Sequence, residues 1–150
     1  MANLQLPRDF KEFLKLLNSN NVEYLLIGGY AVSIHGYVRM TNDLDVWVRA
    51  TAENAERVVR ALGEFGFNRS NLSPNLFTNP NSIIRMGVPP LRVEMLTSVS
   101  GVEFDSCYAE RTMVEIEDVP VPVISLKRLR QNKAAAGRTK DLADLENLPH

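Results

Sequence analysis

The stretch LLIGGYAVSIHGYVRMTNDLDVWV, residues 25–48, decides how the rest of the chain is read. An apolar run ends at Gly28-Gly29, and further on Asp43 and Asp45 alternate with Leu44 and Val46. Side chains two apart on a strand share a face, so the two aspartates project side by side while Leu44 and Val46 turn toward the core. Adjacent carboxylates repel each other, and a cation between them removes the repulsion. Oxygen ligands suit Mg²⁺ or Mn²⁺, which keep several waters and share phosphate oxygens with nucleotides. A third carboxylate to complete a two-metal site is offered by Glu94, set between Val93 and Met95 in LRVEML. Gly28 and Gly29 stand between a strand and a helix start. There the missing side chains let backbone N–H groups approach an anion, and the helix N-terminus favours phosphate. A phosphate grip beside metal-binding acids points to phosphoryl or nucleotidyl transfer from a metal-bound nucleoside triphosphate.

Outward from this segment the chain alternates helical and strand patterns. Phe10, Phe13, Leu14 and Leu17 form one helical stripe over residues 8–18, with Pro7 at its start. VEYLLI reads as a buried strand, YAVSIHG as a short helix and DLDVWVR as a second strand. Thr51 can cap a helix that Gly66 stops. NRSNLSPNLFTNPNS is expected to be an exposed loop or irregular strand pair. SIIRMGV and LRVEMLT suggest strands around a Pro-Pro turn, and residues 103–111 a short helix. The prolines in TMVEIEDVPVPVIS suggest a hairpin or edge strand. Ser125 can cap LKRLRQNKAAA, Gly137 breaks it, and Leu142, Leu145 and Leu148 are expected to pack a last helix onto the body. The expected fold is α/β (α+β), a small mixed sheet with helices mainly on one side, in a single domain over 1–150 with a helical segment at about 125–148.

The chain has 150 residues, 45% apolar and 23% charged, with a formal net charge of −1. That balance gives no global field for nucleic acid or an anionic membrane. No apolar run is long enough to span a bilayer, and a cytoplasmic location is expected. A lone Cys107 permits no internal disulfide and reads as a core filler. His35 and His150 are too few for a histidine metal site. Trp47 and Tyr30 read as core residues. Arg39 and Thr41 precede the acids, and Arg39 suits phosphate or acceptor as well as it suits an ordinary surface. Lys127, Arg128 and Arg130 read as a solvated helix face.

The pattern Ile27-Gly28-Gly29, Asp43-Leu44-Asp45-Val46 and Val93-Glu94-Met95 resembles the polymerase-beta-like nucleotidyltransferase superfamily. It is similar to the minimal, abortive-infection (toxin–antitoxin) branch and to the antibiotic nucleotidyltransferases. The tail KAAAGRTKDLADLENL resembles the C-terminal helices of the abortive-infection-like group. The resemblance implies metal-dependent transfer of a nucleoside monophosphate to a hydroxyl on an RNA such as tRNA, a protein or a small molecule. Asp43, Asp45 and Glu94 would be the catalytic and metal-binding acids for Mg²⁺ or Mn²⁺. Gly28, Gly29, Arg39, Thr41, Lys133 and Asp141 would serve the nucleotide. Many relatives carry serine at the position of Gly29, so Gly29→Ser is expected to be tolerated. Aspartate is common where Glu94 stands, and no large acceptor-binding domain is expected. The rival from another class is a non-catalytic antitoxin-like or regulatory partner using the same fold.

Overall fold

The computed structural model describes residues 5–67, 72–87 and 92–150. Helix α1 (Arg8–Ser19) follows Pro7, whose fixed φ starts it, and buries Phe10, Phe13, Leu14 and Leu17. Strand β1 (Tyr24–Ile27) is buried throughout and runs directly into helix α2 (Gly28–Ile34). Strand β2 (Asp43–Val48) leads to helix α3 (Ala52–Phe65), where the Thr51 side chain accepts a hydrogen bond from the Asn54 N–H and Gly66 closes the helix in a left-handed conformation. Strands β3 (Ile83–Met86) and β4 (Arg92–Leu96), helix α4 (Phe104–Ala109), strands β5 (Thr112–Ile116) and β6 (Val119–Val123), and helices α5 (Leu126–Ala136) and α6 (Thr139–Asn147) complete the order. Ser125 caps α5 through the Arg128 N–H.

The strands form one mixed sheet in the order β3-β4-β2-β1-β6-β5. Pairs β1–β2, β3–β4 and β5–β6 are antiparallel, whereas β2–β4 and β1–β6 are parallel. On β2, Leu44, Val46 and Val48 are fully buried and share one core with the apolar stripes of α1 and α3. The alternate residues Asp43 and Asp45 face the other way, into a cleft. Farther along that same face Trp47 meets Phe104 of α4 edge to face. The alternation that hides one side of β2 therefore exposes the acids on the other. Cys107 is buried, as expected, and so are Trp47 and Tyr30.

Three expectations are corrected. The Asn/Ser/Pro-rich segment is not merely an exposed loop. Its described part contains a 3₁₀ turn, Pro74–Phe77, that carries a fully buried Phe77 against α3, while residues 68–71 and the Pro-Pro turn lie outside the described residues. The expected hairpin forms as β5–β6, with β5 at the edge of the sheet and the proline-bearing β6 second. It tolerates Pro120 and Pro122 because its register with β1 is confined to Leu26↔Val123, where the Ile124 N–H then reaches the Leu26 carbonyl. On α6 the inward stripe is Asp141, Asp144 and Leu148, and Leu142 is 49% exposed. Positions i, i+3 and i+7 stay on one helical face, whereas a strict three-residue leucine spacing drifts around it. Finally, Arg128 pairs with Glu110 and Arg130 donates to the carbonyls of Leu145 and Pro149, so only Lys127 of that trio is freely solvated.

Candidate active site

The parallel register of β2 and β4 sets Asp45 opposite Glu94 and Asp43 opposite Arg92, so these side chains share one face. Antiparallel pairing places Arg85 of β3 opposite Glu94. The result is the floor of an open cleft of about 730 Å³, rimmed by Gly28 and Gly29 and walled by Lys133, Arg138 and Lys140 from the C-terminal helices. Thr41 and Arg39 border a smaller recess beside Gly29.

The three acids are not equally placed. Asp43 is held by Arg92, whose Nη2 and Nε donate at 2.9 and 3.3 Å. Glu94 accepts from Arg85 Nε at 2.9 Å and lies 3.7 Å from Arg92 Nη2. Asp45 has no such partner: its Oδ1 is buried without a hydrogen bond. Burial first, then the charges of Glu94 and Asp43, push its carboxyl up to about 7, against the opposing pull of Lys140 and Lys133. Among the described residues no three His, Cys, Asp or Glu side chains converge as a ready-made metal cluster. The acids share a face, as expected, but a guanidinium stands between Asp43 and Glu94 where a common ion was expected. The donor set still suits a hard divalent cation, because it is all carboxylate and includes a buried oxygen lacking any partner.

Backbone geometry explains both glycines. Gly28 has φ +69°, and a Cβ there would come 2.1 Å from Asp45 Oδ2. Gly28 thus lets the chain turn into α2 while passing against the acid. A Cβ on Gly29 would meet Thr41 Oγ1 at 2.5 Å and Thr41 Cβ at 2.7 Å. No side chain caps the α2 N-terminus. Tolerance of Gly29→Ser is therefore withdrawn, since any β-carbon collides with a branched neighbour whose Cβ cannot swing away. Gly29→Ser is expected to lower stability by about 1–3 kcal/mol. Adding Thr41→Gly should recover more than Thr41→Gly alone gives the parent, as read in a urea double-mutant cycle.

The tail residues are used differently from one another. Lys133 is only 3% exposed, and its Nζ reaches Asp141 Oδ1 and Asp144 Oδ2, each at 3.1 Å. Arg138 also pairs with Asp141, through Nε at 2.7 Å. Arg39 clasps Asp144 through Nε and Nη2 at 2.8 and 2.9 Å while bordering the recess beside Gly29. Asp141 is fully buried beneath Lys133 and does not line the cleft, so it supports the wall rather than touching a nucleotide. Lys133 and Lys140 do line it. The sequence reading missed Arg85 and Arg92 as cleft residues. Arg92 was within reach, because the period-two alternation that pairs Asp43 with Asp45 also sets Arg92 beside Glu94.

A mixed sheet with two acids on one strand, a third on its parallel neighbour and a glycine turn at the rim defines a polymerase-beta-like nucleotidyltransferase. A model of the aminoglycoside-2''-adenylyltransferase family matches residues 9–148, and the chain belongs to that family. No curated protein matches the chain by sequence. Among solved structures, a candidate nucleotidyltransferase from Thermotoga maritima superposes with TM-score 0.65 at 16% identity, covering 97% of this chain and 96% of the other. The lincosamide antibiotic adenylyltransferase LnuA, bound to lincomycin, gives 0.57 at 15% identity over 97% of both chains. The antibiotic-resistance factor ANT(2'')-Ia gives 0.56 at 13%, covering 92% of this chain and 79% of that one. At such identities the likeness shows a shared fold. The family match falls in the antibiotic-adenylylating branch and lends no support to a toxin–antitoxin partner. No helix among the described residues is long and apolar enough to cross a membrane.

Proposed function

We propose that the protein transfers a nucleoside monophosphate, with ATP the favoured donor, to a hydroxyl of a small-molecule acceptor in a divalent-metal-dependent reaction. The observation that carries this reading is the placement of Asp43, Asp45 and Glu94 on one face at the cleft floor, with the α2 turn at its rim. Relatives described with lincomycin and with adenylylated tobramycin support a small acceptor over RNA or protein.

In this reaction the acceptor oxygen forms a bond to the α-phosphorus, and the bond from that phosphorus to the bridging oxygen breaks. Pyrophosphate departs with the electron pair. A Mg²⁺ or Mn²⁺ held by the three acids would supply charge neutralisation on the phosphates. The backbone N–H groups at Gly28 and Gly29 orient phosphate oxygens. Lys140, exposed on the wall, adds positive charge beside them. Lys133, clamped between two aspartates, presents its ammonium at a fixed point. Glu94 stands closest to the β3 side of the cleft and accepts the proton of the attacking hydroxyl.

The test measures pyrophosphate release and labelled product from each α-labelled triphosphate with Mg²⁺ or Mn²⁺, together with melting temperature. Saturation with a non-hydrolysable ATP analogue and Mg²⁺ at a hundred times Kd should stabilise the protein by about 2.7 kcal/mol. Neither ligand alone should do as much. Equal stabilisation after Asp43→Asn would remove the metal role of that residue.

A further inference from the structure

Resting on the nucleotidyl-transfer reading, we infer that the acceptor is a small hydroxyl compound carrying an anionic group, a phosphate or a carboxylate, which Arg85 and Arg92 receive at the β3 side of the cleft. An aminoglycoside bears several ammonium groups, and a site built for one needs carboxylates beyond those that serve the nucleotide. This cleft has the opposite balance. Its only acidic lining residues are Asp43, Asp45 and Glu94, whereas Arg85, Arg92, Lys133, Arg138 and Lys140 are all basic. The stretches outside the described residues contain no Asp or Glu, so they hold no hidden acid.

The basic groups divide by position. Lys133 and Arg138 are tied to Asp141, and Lys140 lies beside the glycine turn, with the donor. Arg85 stands at the other end, on β3, and Arg92 on β4 lies between the two ends, lining both the main cleft and the recess that Gly29 and Lys140 share. The Arg85 side chain is 57% exposed and uses Nε on Glu94. Its two terminal nitrogens have no protein acceptor among the described residues. Arg92 is 34% exposed and is held by the very acids that the donor complex requires. Once those acids engage that complex, two guanidiniums remain facing the cleft without counter-charges, and a planar fork of N–H donors matches phosphate or carboxylate. Ile83 and Leu96 lie beside them and offer apolar surface to a ring or carbon chain. A polyammonium acceptor would meet like charges here, and such juxtaposition costs several kcal/mol and excludes the wrong partner. The bounded cleft and the net charge of −1 favour a small acceptor over RNA.

The experiment divides the small molecules of a bacterial extract by ion exchange into anionic, neutral and cationic pools. Each pool is incubated with the intact protein, Mg²⁺ and α-labelled ATP; tobramycin and total RNA are parallel acceptors. Label should pass to the anionic pool. Prior phosphatase treatment of that pool, with the phosphatase removed before ATP is added, should abolish labelling if the group is a phosphate and leave it intact if it is a carboxylate. Arg85→Ala should raise the amount of that pool needed for half-maximal labelling about tenfold or more, with the KM for ATP unchanged. Label on tobramycin, RNA, or the neutral or cationic pool instead would overturn the anionic small-molecule acceptor. So would an equal rise in the KM for ATP in the variant, which would make Arg85 a donor residue. Binding of the non-hydrolysable ATP analogue with Mg²⁺ is measured alongside. Binding without any labelled product overturns the acceptor class alone, whereas no binding and no product overturn nucleotidyl transfer as well.

Discussion

Asp45→Asn is expected to raise the melting temperature of the ligand-free protein at pH 8 while lowering nucleotidyl transfer on the order of a thousandfold, the scale set by losing one preorganised electrostatic group. The Asp45 side chain is half-buried, its Oδ1 is sealed from solvent without a partner, and two other carboxylates lie nearby. Its pKa is therefore raised from 3.8 to about 7. Because the folded state holds this proton more tightly than the unfolded chain, the stability it contributes is present at low pH and is lost as pH rises through 7. At 1.36 kcal/mol per unit, the rise from 3.8 to about 7 makes the loss by pH 8 on the order of 4 kcal/mol. Asparagine keeps the shape and never ionises, so calorimetry at pH 8 should show a gain of roughly 8–16 °C for a chain of this size. The gain should shrink steadily toward pH 5. Asp43→Asn should not stabilise in this way, because it removes the charge that pairs with Arg92 and one of the two oxygens that accept from it. A parent and an Asp45→Asn variant that melt alike at pH 8 would show that Asp45 is not the unfavourable charge.

Asp144→Ala is expected to cause the largest loss of stability, about 3–5 kcal/mol. Asp144 is 1% exposed and joins two cations, Arg39 from the segment before β2 and Lys133 from α5. Burial pushes its carboxyl up, but hydrogen bonds from Arg39 and Lys133 outweigh that and hold it below the usual range. The sign is opposite to that of Asp45. Its stabilisation is present above the unfolded pKa and is lost as pH falls through the depressed folded value. Urea unfolding at pH 7 should show the full deficit, and the difference between variant and parent should narrow in acid. Asp144→Ala also leaves Arg39 without its clasp, so amide exchange in residues 38–42 should speed up. A variant within about 1 kcal/mol of the parent would mean that the network is not a buried anchor.

Much of this is legible in the sequence itself. The stripe of α1, the caps at Thr51 and Ser125 and the glycine stops at Gly66 and Gly137 are local signals, and the structure follows them. The shared face of Asp43 and Asp45 follows from strand periodicity alone. What one chain could not disclose was register. That Glu94 stands opposite Asp45, and that Arg85 stands opposite Glu94, depends on strands far apart in sequence. The sequence leaves Arg39 evenly between phosphate and an ordinary surface, because its partner, Asp144, lies at the other end of the chain. The leucines of α6 drew attention from the aspartates because buried acids are rare, and these are buried only because three cations meet them. Gly29→Ser looked harmless by resemblance, yet Thr41 occupies the space that this replacement needs.

The unpartnered oxygen of Asp45 also bears on ancestry. A carboxylate that weakens its own fold at neutral pH is under constant mutational pressure to disappear, since many replacements would make the protein more robust. A lineage released from catalysis would drift toward asparagine, alanine or serine at this site, gaining robustness on the way. This chain still carries aspartate there, with Gly28 left bare to make room for it. A copy of this chain freed from catalysis is expected to lose Asp45 first and to fill the space at Gly28 only afterwards, because a β-carbon there has no room while the acid stands against it.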